Sequence, residues 1–474
     1  MAVPEPRADA EERARLTAEV EDLRARFTAH PKRYLYILMA VGAVDAADRT
    51  ILATVSEDVR RSFDIGDDRL GLLFGAYAFV AALSALPFGF VADRFNRVRL
   101  IALGFLPWSI AMFWTGAAQS FGMMFAARLF LGSIEATNGP STPSLLGDYY
   151  PVRERGRVWG IYGIGTLVGA LAGFAVAGVL ATLFDWRTAF FVWGAMGLVC
   201  GAAVWRLLPE PARGVSDALH QAETKLAQLD HGPTATSLHS DAEGSDVDYR
   251  AIPLWSAIRA ILRVRTMWIT FLAGVAAEFF MSAIATWAPT YFRRYHGFSA
   301  AGAGGIVAAL ALSVVAGIVF GARRSDRQLN RGRPARRIQM AAAAQLLSVA
   351  VIMVAFGFDR LALVVPFLIV FGFLLGVPMA PANAVQIDIM VPHLRGRAAA
   401  IRSVLRVAAI AGAPILFGYL SDQYGLRSAM LYIAPMLAVS GAIMLFAVRT
   451  YPRDMERCQQ ESLRQQRLEA TARV

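Results

Sequence analysis

Long stretches without a charged residue alternate with short polar turns along most of the chain. Residues 70–92, 100–127, 158–184, 300–322, 361–387 and 428–448 form such runs. A hydrocarbon layer is crossed by about 20 apolar residues in a helix, so each run is long enough to span it. Other segments keep the length and apolarity while carrying isolated charges. The pattern predicts twelve spans, at 34–55, 70–92, 100–118, 121–147, 158–184, 188–208, 267–292, 301–322, 338–358, 361–388, 398–421 and 427–448. The polar stretches between them divide the chain into a helix-bearing N-terminal segment (1–33), a six-helix bundle (34–208), a linker (209–265), a second six-helix bundle (266–448) and a tail (449–474). Within 9–30, Leu16, Val20, Leu23 and Phe27 recur at helical spacing, predicting an amphipathic helix on the cytoplasmic face of the protein or bilayer. The linker is expected to carry short helices at 216–229 and 254–265 around a flexible stretch at 231–244, and the tail is expected to be helical.

Composition agrees with a multi-pass, all-α membrane protein. Hydrophobic residues make up 56% of the 474, charged residues only 18%, and mean hydropathy is +0.46. A soluble enzyme needs polar faces that these runs lack. The net charge of +11 does not imply nucleic acid: the only lysines are Lys32 and Lys225, and the arginines crowd the loops after spans 2, 4, 8 and 10. Basic loops stay on the cytoplasmic side, which predicts cytoplasmic termini and linker, in a bacterial inner membrane. Cys200 lies in an apolar run and Cys458 in the polar tail, so no disulfide is expected between them. The charged first thirty residues contain no signal-peptide core, leaving the first span as the insertion signal. No phosphate-binding glycine loop and no His/Cys cluster occurs, so neither ATP, metal nor another cofactor is expected.

The two halves echo each other. Asp148-Tyr-Tyr-Pro151 followed by Arg155-Gly156-Arg157 recurs as Asp388-Ile-Met-Val-Pro392 followed by Arg395-Gly396-Arg397, displaced by 240 residues. Trp186-Arg187-Thr188-Ala189 recurs as Leu426-Arg427-Ser428-Ala429. An even number of spans separates the copies, so they run in the same direction, the plan of a parallel-repeat transporter.

Gly89-Phe-Val-Ala-Asp93-Arg94-Phe-Asn96-Arg97-Val-Arg99 then resembles the loop motif between the second and third helices of the major facilitator superfamily, with Asn96 in the usual Gly position. That resemblance implies a major facilitator fold: twelve transmembrane helices in two parallel-repeat six-helix bundles, working by alternating access. Within the superfamily the chain resembles the spinster-like lysolipid and sphingolipid transporters, through Asp48-Arg49 in span 1 and Arg128 with Gly132-Ser-Ile-Glu135-Ala136 in span 4. Asp45-Ala-Ala-Asp48-Arg49 stands where that family usually has Asn-Tyr-x-Asp-Arg, so this chain carries an additional acid. Anion/cation symporters of the same superfamily also carry Asp-Arg in helix 1. The implied activity is proton-coupled movement of a lysophospholipid- or sphingoid-like amphiphile; the alternatives are a small organic anion or drug, or a receptor that kept the fold without flux. The expected partners are protons, membrane lipids and that amphiphilic or anionic substrate, and the chain is expected to act as a monomer.

Charges at membrane depth cost roughly 2.5–3.5 kcal/mol each on insertion scales, which marks them as functional candidates. Asp48, Glu135 and Asp45 are candidates for proton coupling, with Asp48 the expected carrier. Arg49, Arg128, Glu278, Arg406 and Asn383 are candidates for substrate binding. Asp48, Arg49, Arg128 and Glu135 are expected to form one acid–base cluster. Arg402 lies one turn before Arg406, near the cytoplasmic end. Asp93, Arg97, Asp148, Arg155, Arg157, Asp388 and Arg397 are expected to gate the cytoplasmic side, with Asp148 and Asp388 each facing an Arg-Gly-Arg turn. Pro140 and Pro143 in span 4 and Pro378 and Pro381 in span 10 are expected to supply matching helix breaks.

Overall fold

Apolar side chains all round a helix leave it no stable surroundings but other helices and lipid, and the chain folds accordingly. The computed structural model describes residues 6–26, 32–212 apart from 136, 152 and 153, parts of 214–226, 264–390 apart from 359, and 395–472. After α1 (Pro6–Arg26) come α2 (Lys32–Phe63), α3 (Asp67–Arg94), α4 (Arg97–Gly116), α5 (Phe121–Glu135), α6 (Asn138–Tyr149), α7 (Arg155–Leu183) and α8 (Trp186–Leu207). The second half comprises α9 (Arg265–His296), α10 (Ala300–Asn330), α11 (Pro334–Ala355), α12 (Leu361–Gly376), α13 (Met379–Asp388), α14 (Arg395–Tyr424), α15 (Leu426–Ile433) and α16 (Pro435–Ala472). Among the described residues there is no strand. The fold is all-α, with twelve crossings in two six-helix bundles.

Spans 4 and 10 are each divided into two helical segments, α5/α6 and α12/α13, at matching places in the repeat. Pro140 and Pro381 are the third residues of α6 and α13, in the first turn, where a missing N–H forfeits no helical hydrogen bond. The breaks therefore fall just ahead of these prolines. Counting α12 with α13 and α15 with α16, eight crossings among the described residues qualify as membrane spans by length and apolarity alone. α2 is not among them, because Asp45, Asp48 and Arg49 interrupt it at depth.

In the first half, α2 packs on α7, α4 on α8, and α3 on α5. A Cβ on Gly173 of α7 would lie 2.5 Å from the Ala47 carbonyl of α2, so glycine permits this approach. In the second half, α9 and α11 pack on α16 and α10 packs on α12. The halves meet where α3 lies along α14, α7 along α10, and α2 along α9. These seams concentrate at the end remote from the linker. There, Gly71 and Gly75 abut the Pro414 and Ala411 carbonyls, Gly178 abuts Ala300, and Ser56 and Thr290 share a 2.7 Å hydroxyl hydrogen bond. Toward the linker, Gly160 and Gly163 of α7 face open space.

Leu16 and Val20 of α1 are buried, Val20 against Leu219 and Ala222 of the early linker, and Arg24 pairs with Glu223 at 2.9 Å. α1 thus rests on the protein's own linker. Phe27, the helix expected at 254–265 apart from its last two residues, and most of that at 216–229 lie outside the described residues.

Candidate functional site

The charges expected to form one cluster divide into two. Asp48 and Arg128 form a closed pair, Oδ1 to Nη1 at 3.1 Å, with side chains only 1% and 2% exposed. The ring of Phe190 lies 5.0 Å from the Arg128 guanidinium carbon. Asp48 Oδ2 and Arg128 Nε and Nη2 have no hydrogen-bond partner among the described residues. An ion pair sealed this way offsets desolvation while it stays intact. Asp48, the expected proton carrier, is accordingly shut off from solvent.

One residue further along α2, Arg49 is turned the other way and is 59% exposed. Its guanidinium bridges Asp45 Oδ2 at 3.0 Å on its own helix and Glu135 Oε1 at 2.8 Å on α5. Tyr77 of α3 donates its hydroxyl to the other oxygen of Glu135, and its ring lies 5.9 Å from the Arg128 guanidinium. Tyr77 thus links the sealed pair to the open one. Gly132 makes this possible: a Cβ there would come within 2.7 Å of the Tyr77 carbonyl, so glycine lets α5 close on α3.

Across the interior, Arg406 of α14 pairs with Glu278 of α9 at 2.7 Å, and both are partly open to solvent. They line a cavity of 130 Å³ together with Asn383, Gln345 and Gln386. Met281, Leu375 and Met379 form a wall that this cavity shares with a second one of 310 Å³. The second is lined almost wholly by apolar side chains of α9, α10 and α12, with Phe174 and Leu167 reaching in from α7. Sequence reasoning found the charged residues but not the apolar chamber, because packing-grade and cavity-grade aliphatics look alike in a sequence.

Among the described residues the expected latch acids take other partners: Asp148 and Asp388 bind Arg97 at 2.5 Å and Arg337 at 2.6 Å, at the starts of α4 and α11. Each pair lies inside one half. Arg97 also binds Glu210 at 2.8 Å, and the Tyr451 hydroxyl donates to Asp388 at 2.7 Å in the other half. Arg337 lies 240 residues after Arg97, so the repeat offset was the signal that would have found it. Arg155 donates to the Gly147 carbonyl at 2.7 Å, and Arg157 is exposed. The side chains of Asp93, Arg397 and Arg402 lie outside the described residues.

The ion pairs that do join the halves sit at the opposite end. Arg293 of α9 chelates Asp58 of α2 through two 2.5 Å hydrogen bonds. Its neighbour Arg294 reaches Glu57 at 2.6 Å and Asp67 of α3 at 2.5 Å. Asp422 of α14 accepts from the backbone N–H groups of Asp67 and Asp68 at 2.9 and 2.7 Å, capping the α3 N-terminus from the other half. Glu57 is fully buried, which pushes its carboxyl up, but hydrogen bonds from Arg60 and Arg294 outweigh this and hold it below the ordinary value. Sequence reasoning missed this latch. Its signal was an acid run just past span 1 (Glu57, Asp58) facing Arg293-Arg294 just past span 7.

The sequence profile of the Major Facilitator Superfamily matches residues 38–412 and 336–470. The chain belongs to that superfamily. It is 24% identical over 442 residues to protein spinster homolog 1 of Bos taurus, covering 89% of this chain and 78% of that one. It is 25% identical over 306 residues to the Bacillus subtilis (strain 168) protein described as "Probable galactarate/D-glucarate transporter GudP", over 63% of this chain and 65% of that relative's length. Among solved structures, a bacterial homolog of the human lysosomal transporter Spinster, inward-facing and unoccupied, superposes with a TM-score of 0.76 at 22% identity, over 90% of this chain and 99% of that one. These likenesses agree with the spinster-like resemblance carried by Asp48-Arg49, Arg128 and Glu135. The protein is a multi-pass membrane transporter of the Major Facilitator Superfamily.

Proposed function

We propose that this transporter moves a lysophospholipid- or sphingoid-like amphiphile by proton-coupled alternating access. The observation that carries the reading is the wall shared by two cavities: one lined by Glu278, Arg406 and Asn383, the other apolar. A single-chain amphiphile needs such a pair of environments side by side, since its head group must stay hydrogen-bonded and its chain gains from leaving water. Arg49 and Arg406 are exposed guanidinium groups at membrane depth, one in each half, and suit an anionic head group. Asp45 and Glu135, both on Arg49, are the acids through which a proton exchanges against the substrate. Asp48 and Arg128 hold α2 to α5. The Arg-rich linker end lies in the cytoplasm of a bacterial cell, with both termini on that side. The latch built from Glu57, Asp58, Arg293, Arg294 and Asp422 then closes the outer side and leaves the inner side open.

The likeness to the galactarate/D-glucarate transporter supports a second reading, a carrier of small organic anions. Proteoliposome flux separates the two. Labelled lysophosphatidylcholine and labelled glucarate are compared under an imposed pH gradient, wild type against Glu135→Gln. Gradient-driven lipid movement, lost in the variant, is the expected result. Movement of glucarate alone would replace the lipid reading with the small-anion one.

A further inference from the structure

The open cluster holds more acid than its bases can neutralise. Asp45, Asp48 and Glu135 bring three carboxylates; Arg49 and Arg128 bring two guanidinium groups, and Arg128 is committed to Asp48. One negative charge is left over at Arg49, at membrane depth, where an uncompensated charge is costly. Two carboxylates that share one partner relieve this by holding a proton between them.

Hydrogen bonding says which acid holds it. Both oxygens of Glu135 accept: Oε1 from Arg49 and Oε2 from Tyr77. Each hydrogen bond a carboxyl accepts favours its ionised form, so the acid with two donors keeps its charge more readily than the acid with one. Asp45 accepts from Arg49 through Oδ2 alone, and its Oδ1 has no partner among the described residues. The other charged or titratable groups around Asp45 are accounted for. On α2 these are Asp48 and Arg49; on α5, Arg128 and Glu135; on α3, Tyr77. From α7, Tyr162 lies against Gly42, one turn before Asp45. From α8 and α9, Arg187 and Arg294 bind Asp185 and Glu57 at the far end, and Glu278 in the middle of α9 pairs with Arg406. α10 carries no ionisable residue before Arg323.

Resting on the transport reading above, we infer that Asp45 holds a proton in the substrate-free protein, and that substrate can take Arg49 only when Asp45 and Glu135 are both neutral. Each carboxylate, when ionised, competes with the substrate's anionic group for the same guanidinium. Glu135 therefore takes up a proton as substrate binds. Asp45 already carries one at low pH, and adds a second uptake step once the medium is alkaline enough to ionise it. The extra acid thus works as a brake that closes the site to substrate at high pH.

Proton linkage reads this directly. Each proton taken up on binding weakens affinity about tenfold per pH unit above the group's titration. Binding of lysophosphatidylcholine and of glucarate is measured from acid to alkaline pH, for wild type and Asp45→Asn. Neither probe changes charge across that range. In wild type the dissociation constant is expected to rise about tenfold per unit and then steepen toward about a hundredfold. In Asp45→Asn it never exceeds tenfold per unit. Equal slopes in the two proteins would overturn the inference while leaving transport intact; failure of both probes to bind would instead sink the transport reading. A substrate-free measurement decides in that case too. The infrared difference between acid and alkaline pH should show a protonated-carboxyl band that shifts when the aspartates, and not the glutamates, carry carbon-13 in their carboxyl groups, and that Asp45→Asn removes. A band that shifts with labelled glutamate instead would place the proton on the other acid.

Discussion

Asp48 and Arg49 are neighbours in sequence with opposite fates, since a helix turns about 100° per residue. Asp48 is sealed against Arg128 and Arg49 opens to solvent. Removing one member of a sealed pair leaves the other charged and unpartnered, at a cost of about 3–5 kcal/mol. Arg128→Ala should therefore lower the unfolding midpoint in detergent sharply, and Asp48→Asn combined with Arg128→Gln should recover much of the loss. A double variant no more stable than Arg128→Ala would show that the pair's charges are not what holds α2 to α5. Glu57 yields a pH prediction. Its folded carboxyl sits below the ordinary value, so its contribution to the latch is full at neutral pH and is lost only as pH falls through that lowered value. Labelling of cysteines placed behind the latch should stay low from pH 8 to 5 and rise only below about pH 4, the range of ordinary carboxylates. In Glu57→Gln it should be raised throughout.

At the level of helices, the α3–α14 seam is made by glycine. A Cβ on Gly75 would sit on the Ala411 carbonyl and the Ile415 side chain, and one on Gly71 would meet the Pro414 carbonyl. A side chain larger than glycine wedges the two halves apart at the far end. Gly75→Val should thus raise labelling behind the latch several-fold, whereas Gly163→Ala, which faces open space, should leave folding stability within about 0.5 kcal/mol. Equal labelling in Gly75→Val and wild type would mean that the seam does not control access.

For the whole molecule, the balance between its two ends decides its resting state. Among the described residues, the ion pairs at the linker end stay within a half, as Arg97–Asp148 and Arg337–Asp388 do. At the far end, ion pairs of Arg293 and Arg294 cross between halves, joined there by the hydrogen bonds from the α3 N-terminus to Asp422. A two-state equilibrium moves only by the difference in free energy between its states, so weakening the crossing contacts shifts it toward opening at that end. Arg294→Ala removes partners of Glu57 and Asp67 together. Distances between spin labels on α3 and α14 at the far end should lengthen and broaden. An unchanged distribution would assign the closed end to helix packing alone.

Local chemistry made much of this legible from sequence. Apolar runs must become helices in a bilayer, because no water is there to satisfy their backbone groups, so the twelve crossings could be read without coordinates. The 240-residue echo placed Asp148 and Asp388 as equivalents, and the prolines of spans 4 and 10 marked where those helices break. Charges at membrane depth singled out Asp45, Asp48, Arg49, Arg128, Glu135, Glu278 and Arg406, because lipid tolerates them only with a partner or a purpose. Tertiary structure alone decided the pairings. Asp48 met Arg128 while Arg49 met Asp45 and Glu135; Asp148 met Arg97; and Glu57 met an arginine 237 residues away. Partner choice among like charges depends on helix rotation and on how closely glycines let backbones approach. Both are settled only when all the helices pack at once.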